Sequence, residues 1–248
     1  MTRVLTIDQG NTTAKIKILE GYDTVYSDRV VSPDIEMLAS LVSQWNVEAA
    51  VYSSVGSLDA RMAESLRHML GGRLLVLTHD TPLPVEVDYG TPGTLGTDRV
   101  AAVCGAAALS GGRCALVADA GTCLTLDLLD SRPAFCGGDI APGLAMRLSA
   151  MHAMTHSLPE VGVAGPVPGF GRDTETAMRC GAVHGMAAQI EYAMEKAKRL
   201  LGADRMFITG GDAAFILPHL DTKTYNIIHC PDLNAVGLIS ILIYNEYI

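Results

Sequence analysis

Asp8 ends an apolar run, Val4-Leu5-Thr6-Ile7, and is followed by the polar stretch Gln9-Gly10-Asn11-Thr12-Thr13 before Ala14 and Lys15 lead into a second apolar run. A carboxylate repels phosphate and meets it only through a cation, for which Mg2+ held by one or two carboxylates and phosphate oxygens is the usual arrangement. Gly10 permits close backbone approach. Turn N–H groups, with Asn and Thr side chains beside them, can form a donor-rich cradle for phosphate oxygens. The pattern returns near mid-chain: Ala115-Leu116-Val117-Ala118 runs into Asp119, then Gly121 and Thr122, then Cys123-Leu124-Thr125-Leu126. Asp8 matches Asp119 and Gly10 matches Gly121, so two strand–Asp–Gly–Thr–strand hairpins are expected, together suited to grip one triphosphate. One D-x-G alone would be an ordinary hairpin turn. Two copies at matched positions favour phosphate chemistry.

Other residues invite weaker readings. Asp98 follows Gly96-Thr97 at the expected start of an Ala-rich helix, where it could accept a hydroxyl proton or simply cap the helix. Arg99 beside it could pair bidentately with a carboxylate. Met206–Thr209 runs into Gly210-Gly211-Asp212, a strand-to-helix turn able to set backbone against a nucleoside. His152 and His156 are four apart but have no evident third ligand, so they read as surface or capping residues. Met146, Met151 and Met154 read as core or interface packing. No G-x-x-x-x-G-K-[ST] occurs, which excludes a P-loop kinase as far as motif goes.

The elements that must position these residues alternate. Strands are expected at Val4–Ile7, Ala14–Leu19, Thr24–Val30, Ala49–Ser53, Leu74–Thr78, Cys114–Val117, Leu124–Leu129, Met206–Thr209 and Asn226–His229. Helices are expected at Ile35–Gln44, Leu58–Leu70, Thr97–Leu109, Leu144–His156, Thr174–Leu201 (one helix or two, interrupted at Gly181 and Gly185), Ala213–Leu220 and Leu233–Tyr247. Asp80–Gly96 reads as a long loop and Gly137–Gly143 as a Gly-rich turn. Strands alternating with helices argue an α/β protein. The repeat divides it into two halves, 1–110 and 111–248.

The chain of 248 residues carries a net charge of −9, with 49% hydrophobic and 18% charged residues. A core-rich globule is expected, and a nucleic-acid partner is disfavoured because phosphate neutralisation needs clustered Lys and Arg. No apolar stretch approaches the roughly 20 residues that span a bilayer, so no membrane partner is expected. The six Cys lack a C-x-x-C spacing and several sit in apolar runs. Buried thiols in the cytoplasm are the expectation.

Taken together, the motifs resemble the acetate and sugar kinase, Hsc70 and actin superfamily, and within it the type III pantothenate kinase family over nearly the whole chain. The residues that carry the resemblance are Asp8-Gln9-Gly10-Asn11-Thr12; Tyr89-Gly90-Thr91-Pro92 with Gly96-Thr97-Asp98-Arg99; and Asp119, Gly121, Thr122, Thr125 and Asp127. Gly137-Gly138-Asp139-Ile140-Ala141-Pro142-Gly143, Gly171-Arg172-Asp173-Thr174 and Thr209-Gly210-Gly211 follow in order. Four positions depart from the usual pattern: Thr91 for Asn, Thr97 for Ala, Cys123 for Ala and Asp173 for Asn. The change at Asp173 bears on a substrate contact.

The resemblance implies two duplicated ribonuclease-H-like (actin-like ATPase) domains with an interdomain ATP cleft. It implies phosphorylation of the primary hydroxyl of pantothenate to 4'-phosphopantothenate, the first step of coenzyme A biosynthesis. Asp98 is then the catalytic base. Tyr89, Gly96, Thr97, Arg99 and Thr174 complete the pantothenate site, with Arg99 on the carboxylate. ATP is expected on Asp8, Gln9, Gly10, Asn11 and Thr12, continuing through Thr13, Ala14 and Lys15, with Thr122 from the second hairpin. Strand alternation also allows Lys15 to share a solvent face with Lys17. Asp8 is expected to face Mg2+ through water, and Asp119 to hold a monovalent cation, K+ or NH4+. A homodimer is implied as well. Other readings are a sugar-kinase-like or phosphatase-like member of the superfamily, or a non-catalytic accessory or filament-forming relative. The compact length and G-x-D-R argue against the first of these, and the presence of Asp8, Asp98 and Asp119 together against the second.

Overall fold

β-Branched and Leu-rich runs with alternating burial form strands because each can bury one or both faces of the pleat. A computed structural model describes residues 2–10, 13–54, 56 and 59–248. The first unit begins with β1 (Arg3–Gln9), β2 (Ala14–Glu20) and β3 (Asp23–Val30), an antiparallel meander. Then come α1 (Ile35–Gln44), β4 (Ala49–Ser54), α2 (Ala60–Met69) and β5 (Leu74–Val76), whose strands run parallel to β1. The sheet order is β3-β2-β1-β4-β5. Asp34 and Asp59 cap α1 and α2 through their carboxylates, which accept from Met37 N–H and from Arg61 and Met62 N–H, satisfying otherwise orphaned helix donors.

The expected loop at Asp80–Gly96 contains a two-residue strand, β6 (Glu86–Val87), and a 3-10 turn over Pro92–Thr94. It ends at α3 (Thr97–Ser110), which Gly111 terminates in the left-handed region. Here Gly is the residue that adopts positive φ without strain.

In the second unit, β7 (Ala115–Ala120), β8 (Cys123–Leu129) and β9 (Ala134–Pro142) follow one another. They are succeeded by α4 (Leu144–Met154), α5 (Thr174–Leu201), β10 (Arg205–Thr209), α6 (Ala213–Ile216) and β11 (Ile227–His229). The order β9-β8-β7-β10-β11 repeats that of the first sheet, with β7–β8 antiparallel and β10 and β11 parallel to β7. α5 is one continuous helix. Gly181 meets nothing that would break it, an Asp173–Thr176 capping box starts it, and Gly202 at φ 70° ends it.

Two expectations are corrected. Gly137–Gly143 is mostly strand: β9 runs to Pro142 beside β8, with Gly137 at φ 89° within it. The glycines there mark an irregular strand where a turn was expected. The last helix, α7 (Leu233–Tyr244), does not group with the second half. The compact units are 1–111 with 133–135 and 232–248, and 112–132 with 136–231. The reason is close helix packing. Gly237 of α7 lies against the Ala101 carbonyl of α3, and Gly105 of α3 lies against the Leu233 carbonyl of α7. Lys17 pairs with Asp232 at the head of α7, and Thr24 Oγ1 donates to the same carboxylate at 2.7 Å.

Side-chain alternation sorts the first sheet into two faces. Leu5, Ile7, Ile16, Ile18, Ala50 and Tyr52 join a core with α1 and α2. The intervening residues, Asp8 and Ser53 among them, point to the other face, where α3 packs on β4 and α7 on β1 and β4. An ideal Cβ at Gly237 would sit 1.8 Å from the Ala101 carbonyl oxygen. Gly237→Ala is therefore expected to lower stability by about 1–3 kcal/mol through forced overpacking. A fall in the urea midpoint at unchanged slope would report it, whereas an unchanged midpoint would show that the α3–α7 crossing yields.

Candidate active site

Asp8 is the next-to-last residue of β1 and half buried. Strand register places Lys15 of β2 directly opposite it on one side and Ser53 of β4 on the other. Lys15 thus stands beside the carboxylate on the α3–α7 face. Lys17, on that same face, is paired with Asp232, so the shared solvent face is overturned. The turn closes with Gly10 N–H donating to Thr13 O at 3.0 Å. Asn11 and Thr12, expected on ATP, lie outside the described residues. The Gln9 side chain turns to the opposite face, where Tyr52 Oη donates to its Oε1 at 3.0 Å. Ala14, expected on ATP, is fully buried. A cavity of about 430 Å3 on that opposite face is lined by Gln9, Ser32, Tyr52, Asp59 and Arg61. Burial, with the Asp59 charge adding to it, raises the Tyr52 phenol above its ordinary pKa.

Asp98 is joined to this strand end through its neighbour. Ser53 Oγ donates to Thr97 Oγ1 at 3.0 Å, and Thr97 Oγ1 lies 3.4 Å from the Ser54 carbonyl oxygen. Gly96 occupies the N-cap of α3 without a side-chain bond, and Asp98 is the second helical residue, its Oδ1 accepting from Arg99 N–H at 2.9 Å. The N-cap position itself belongs to Gly96, while the Asp98 carboxylate, inside the first turn, takes up one helix N–H where such groups favour negative charge. An ideal Cβ at Gly96 would meet Asp98 Oδ1 at 2.4 Å, so a side chain there would displace that carboxylate from its present position.

Arg99 is buried, with 5% of its surface exposed. Its guanidinium carbon lies 5.6 Å from the Tyr89 ring centroid and 5.4 Å from that of Phe135. The two rings meet edge to face at 5.7 Å. Such contacts stabilise a desolvated cation and constrain the plane of its donor fork. Phe135 arrives because β6 pairs in parallel with Ala134–Phe135, within the first unit. Sequence reasoning missed it: only the short apolar run Ala134-Phe135-Cys136 marks it, and no local pattern ties that run to Tyr89.

In the second unit, Asp119 occupies the position corresponding to Asp8 but has different neighbours: Thr125 of β8 on one side and Thr209 of β10 on the other. Both threonines are buried. Gly210, at φ 96°, packs on this row, and an ideal Cβ there would meet the Ala120 carbonyl at 2.3 Å and Asp119 Oδ1 at 2.4 Å. The Asp212 N–H donates to that same Ala120 carbonyl at 2.8 Å, and burial raises the Asp212 carboxyl above the ordinary range. Gly143 N–H donates to Thr122 O at 3.1 Å. A Cβ on Gly143 would fall 2.1 Å from the Gly121 carbonyl oxygen. Three separate motifs therefore converge on one turn. Thr122, at that turn, is exposed.

Thr174 is the exposed first residue of α5 and belongs to the second unit, whereas Tyr89, Gly96, Thr97, Asp98 and Arg99 belong to the first. Asp173 N-caps α5, accepting from Thr176 N–H at 2.8 Å, and that bond holds its carboxyl below the usual range. Asp and Asn serve equally as N-caps, so this departure preserves the cap. His152 Nδ1 lies 2.7 Å from the Leu158 carbonyl oxygen, a local structural contact.

Among the described residues no cluster of three His, Cys, Asp or Glu could hold a metal. A divalent ion at Asp8 would accordingly take most of its ligands from phosphate and water, as Mg2+ commonly does. The Asp119 row, a carboxylate between two hydroxyls, is an all-oxygen donor set suited to a hard cation.

Solved structures define the class. The chain aligns with the ROK hexokinase from Thermus thermophilus at a TM-score of 0.54, 13% identity and 99% coverage of both chains. It aligns with the ADPNP-bound activator of 2-hydroxyisocaproyl-CoA dehydratase from Clostridium difficile at a TM-score of 0.54 and 13% identity, covering 99% of this chain and 96% of that one. At such identities the likeness establishes the fold, a duplicated ribonuclease-H-like α/β architecture, and not the reaction. The narrower assignment comes from sequence. The type III pantothenate kinase family profile matches residues 4–196. The chain is 37% identical over 243 residues to the type III pantothenate kinase of Phocaeicola vulgatus, covering 98% of each. It is 33% identical over 244 residues to that of Porphyromonas gingivalis, covering 97% of this chain and 98% of the relative. The chain belongs to the type III pantothenate kinase family.

Gly210→Ala would place a methyl against the Asp119 carboxylate in a backbone region that L-residues avoid. Strain of this kind costs about 1–3 kcal/mol. The expected outcome is a lower melting temperature together with loss of the further stabilisation that MgATP gives the parent protein. Retention of the full MgATP shift would remove Gly210 from the nucleotide turn.

Proposed function

We propose that this chain transfers the γ-phosphoryl group of ATP to the primary hydroxyl of pantothenate, with Asp98 as the base that takes the hydroxyl proton. The carrying observation is the adjacency, in one helical turn, of a half-buried carboxylate and a buried arginine flanked by two aromatic rings. A base and a fixed carboxylate-binding fork are what an acceptor bearing both a hydroxyl and a carboxylate requires. Tyr89 and Phe135 hold the Arg99 guanidinium, and Arg99 binds the pantothenate carboxylate. Thr97 and Gly96 shape the turn, and Thr174 contributes to substrate binding from the start of α5.

Asp8 orients the water shell of Mg2+, with Lys15 beside it to offset phosphate charge. Gly10 and Thr13 offer the turn to the phosphates, as do Asn11 and Thr12. Mg2+, when bound with the nucleotide, supplies neutralisation of the charge that develops on the phosphoryl oxygens. In the second unit Thr122 donates to phosphate, and Asp119 with Thr125 and Thr209 holds K+ or NH4+.

A second copy of the chain covers the apolar residues that the second unit leaves exposed, Ile140, Met154 and Phe170 among them. The cytoplasm is the proposed location, since all six cysteines are free thiols, as suits a reducing compartment.

The assay is purified protein with MgATP and pantothenate, with and without K+. Asp98→Asn is expected to lower kcat by about 10^3-fold with the melting temperature unchanged; turnover within a few-fold of the parent would remove Asp98 as base. Asp119→Asn is expected to lose the K+ response together with rate, and an unchanged response would move the cation elsewhere. Phosphorylation of a sugar without phosphorylation of pantothenate would instead support the broader sugar-kinase class to which the fold also belongs. For the dimer, Phe170→Glu is expected to shift the mass measured by light scattering towards the monomer. A dimer unaffected by it would place the interface on another surface.

A further inference from the structure

Thr97 stands where the family motif commonly has alanine, and its hydroxyl is committed. Ser53 is fully buried, and its hydroxyl donates to Thr97 Oγ1 at 3.0 Å. A hydroxyl has one hydrogen and two acceptor sites, so Thr97 directs its own hydrogen to the Ser54 carbonyl, 3.4 Å away. The relay joins the first residue of α3 to the last two residues of β4. Ser53 is also the register partner of Asp8. The chain of contacts therefore runs from the strand row that carries Asp8 to the residue immediately before Asp98. Gly96, on the other side of Thr97, provides no side-chain cap, and the Thr97 side chain pins the helix start to the sheet.

We propose that Thr97 is a positioning residue for Asp98. The Ser53–Thr97–Ser54 relay fixes the first turn of α3 against the end of β4 and so sets where the Asp98 carboxylate stands relative to the Asp8 row. The proposal rests on the reading of Asp98 as base. It also narrows the role expected for Thr97: its hydroxyl serves the sheet, and pantothenate meets this residue through its backbone.

A purely structural role makes a different prediction. Removing one partner of a buried hydroxyl pair leaves the other unsatisfied and destabilises the protein, whereas removing both is close to neutral. If the relay only satisfies Ser53, the double variant Ser53→Ala/Thr97→Ala regains both stability and activity. If the relay positions Asp98, the double variant regains stability and stays slow.

The test measures kcat, both KM values and the melting temperature of the full chain. Thr97→Ala is expected to lower kcat about tenfold, as small misplacements of a reacting group do. KM values for ATP and pantothenate should stay within about twofold, the signature of an interaction felt only in the transition state. Thr97→Ser should restore kcat. In Ser53→Ala/Thr97→Ala the melting temperature should recover while kcat does not. The proposal is overturned if the double variant recovers kcat, if Thr97→Ala turns over at the parent rate, or if KM for pantothenate rises in place of a fall in kcat. Should Thr97→Ala fail to fold, Thr97→Val retains the branched shape and is read the same way. An active Asp98→Asn enzyme would sink the base assignment, whereas a parent-like Thr97→Ala alongside an inactive Asp98→Asn would sink the relay alone.

Discussion

A carboxylate at the carboxyl end of a central strand is the constraint around which each unit is organised. Open α/β sheets present ligands at these strand ends, but a partly buried negative charge there needs polar company. The five strands of the first sheet and five of the six in the second share one order, and the two supply that company differently. Asp8 has a lysine and a serine beside it, and Asp119 has two threonines. The duplication thus preserved a backbone device and changed the chemistry of its row. A carboxylate next to an ammonium is suited to water-mediated work near phosphate. A carboxylate between neutral hydroxyls is a better host for a cation.

The glycines follow from the same constraint. Gly143 and Gly210 are required because the β9–α4 and β10–α6 connections press their backbones against the Asp119–Gly121–Thr122 turn, leaving no room for a Cβ. In the first unit the corresponding restraint on the Asp98 helix comes from side-chain hydroxyls. Rigid placement of polar groups is what phosphoryl transfer asks of a protein, since positioning and charge stabilisation supply nearly all of its catalysis. The energy that holds the turn in place comes from the sheets and their helices, through packed apolar side chains far from any charge.

What was legible in the sequence depended on how local its cause was. α1 was read to the residue, because Asp34 caps it and Ile35, Leu38 and Leu41 repeat at helical spacing. The two hairpins were legible because Asp and Gly interrupt apolar runs in the same way twice. The Gly137–Gly143 segment was not, since its strand character depends on pairing with β8 and its glycines speak locally for a turn. The placement of α7 was hidden for a related reason: the small residues that let it approach α3 lie far apart in the chain, at Gly105 and Gly237. Lys17 looked like a solvent residue until Asp232, at the distant head of α7, came beside it. Of the candidate site, the acidic residues and their turns could be read. That Ser53 and Thr209 stand beside those carboxylates, and Phe135 beside Arg99, could not be read, because strand register and a two-residue strand put them there.

Aromatic residues are scarce, at 5% of the chain with only four Phe, which makes the surroundings of Arg99 informative. A core built from Leu, Ile, Val and Ala does not need Phe135 for bulk, and a Leu at that position would fill comparable space. It would not present a π-face to a guanidinium. Burying an arginine is costly unless its charge is compensated, and two ring faces offset part of that cost. Drawing Arg99 inward and stacking it requires β6 and the turn through Tyr89, both in the segment that precedes Asp98, and the pairing of β6 with the distant Phe135. That investment of structure around one cation, next to the carboxylate assigned as base, is understandable if the cation must meet an anionic substrate in a fixed orientation.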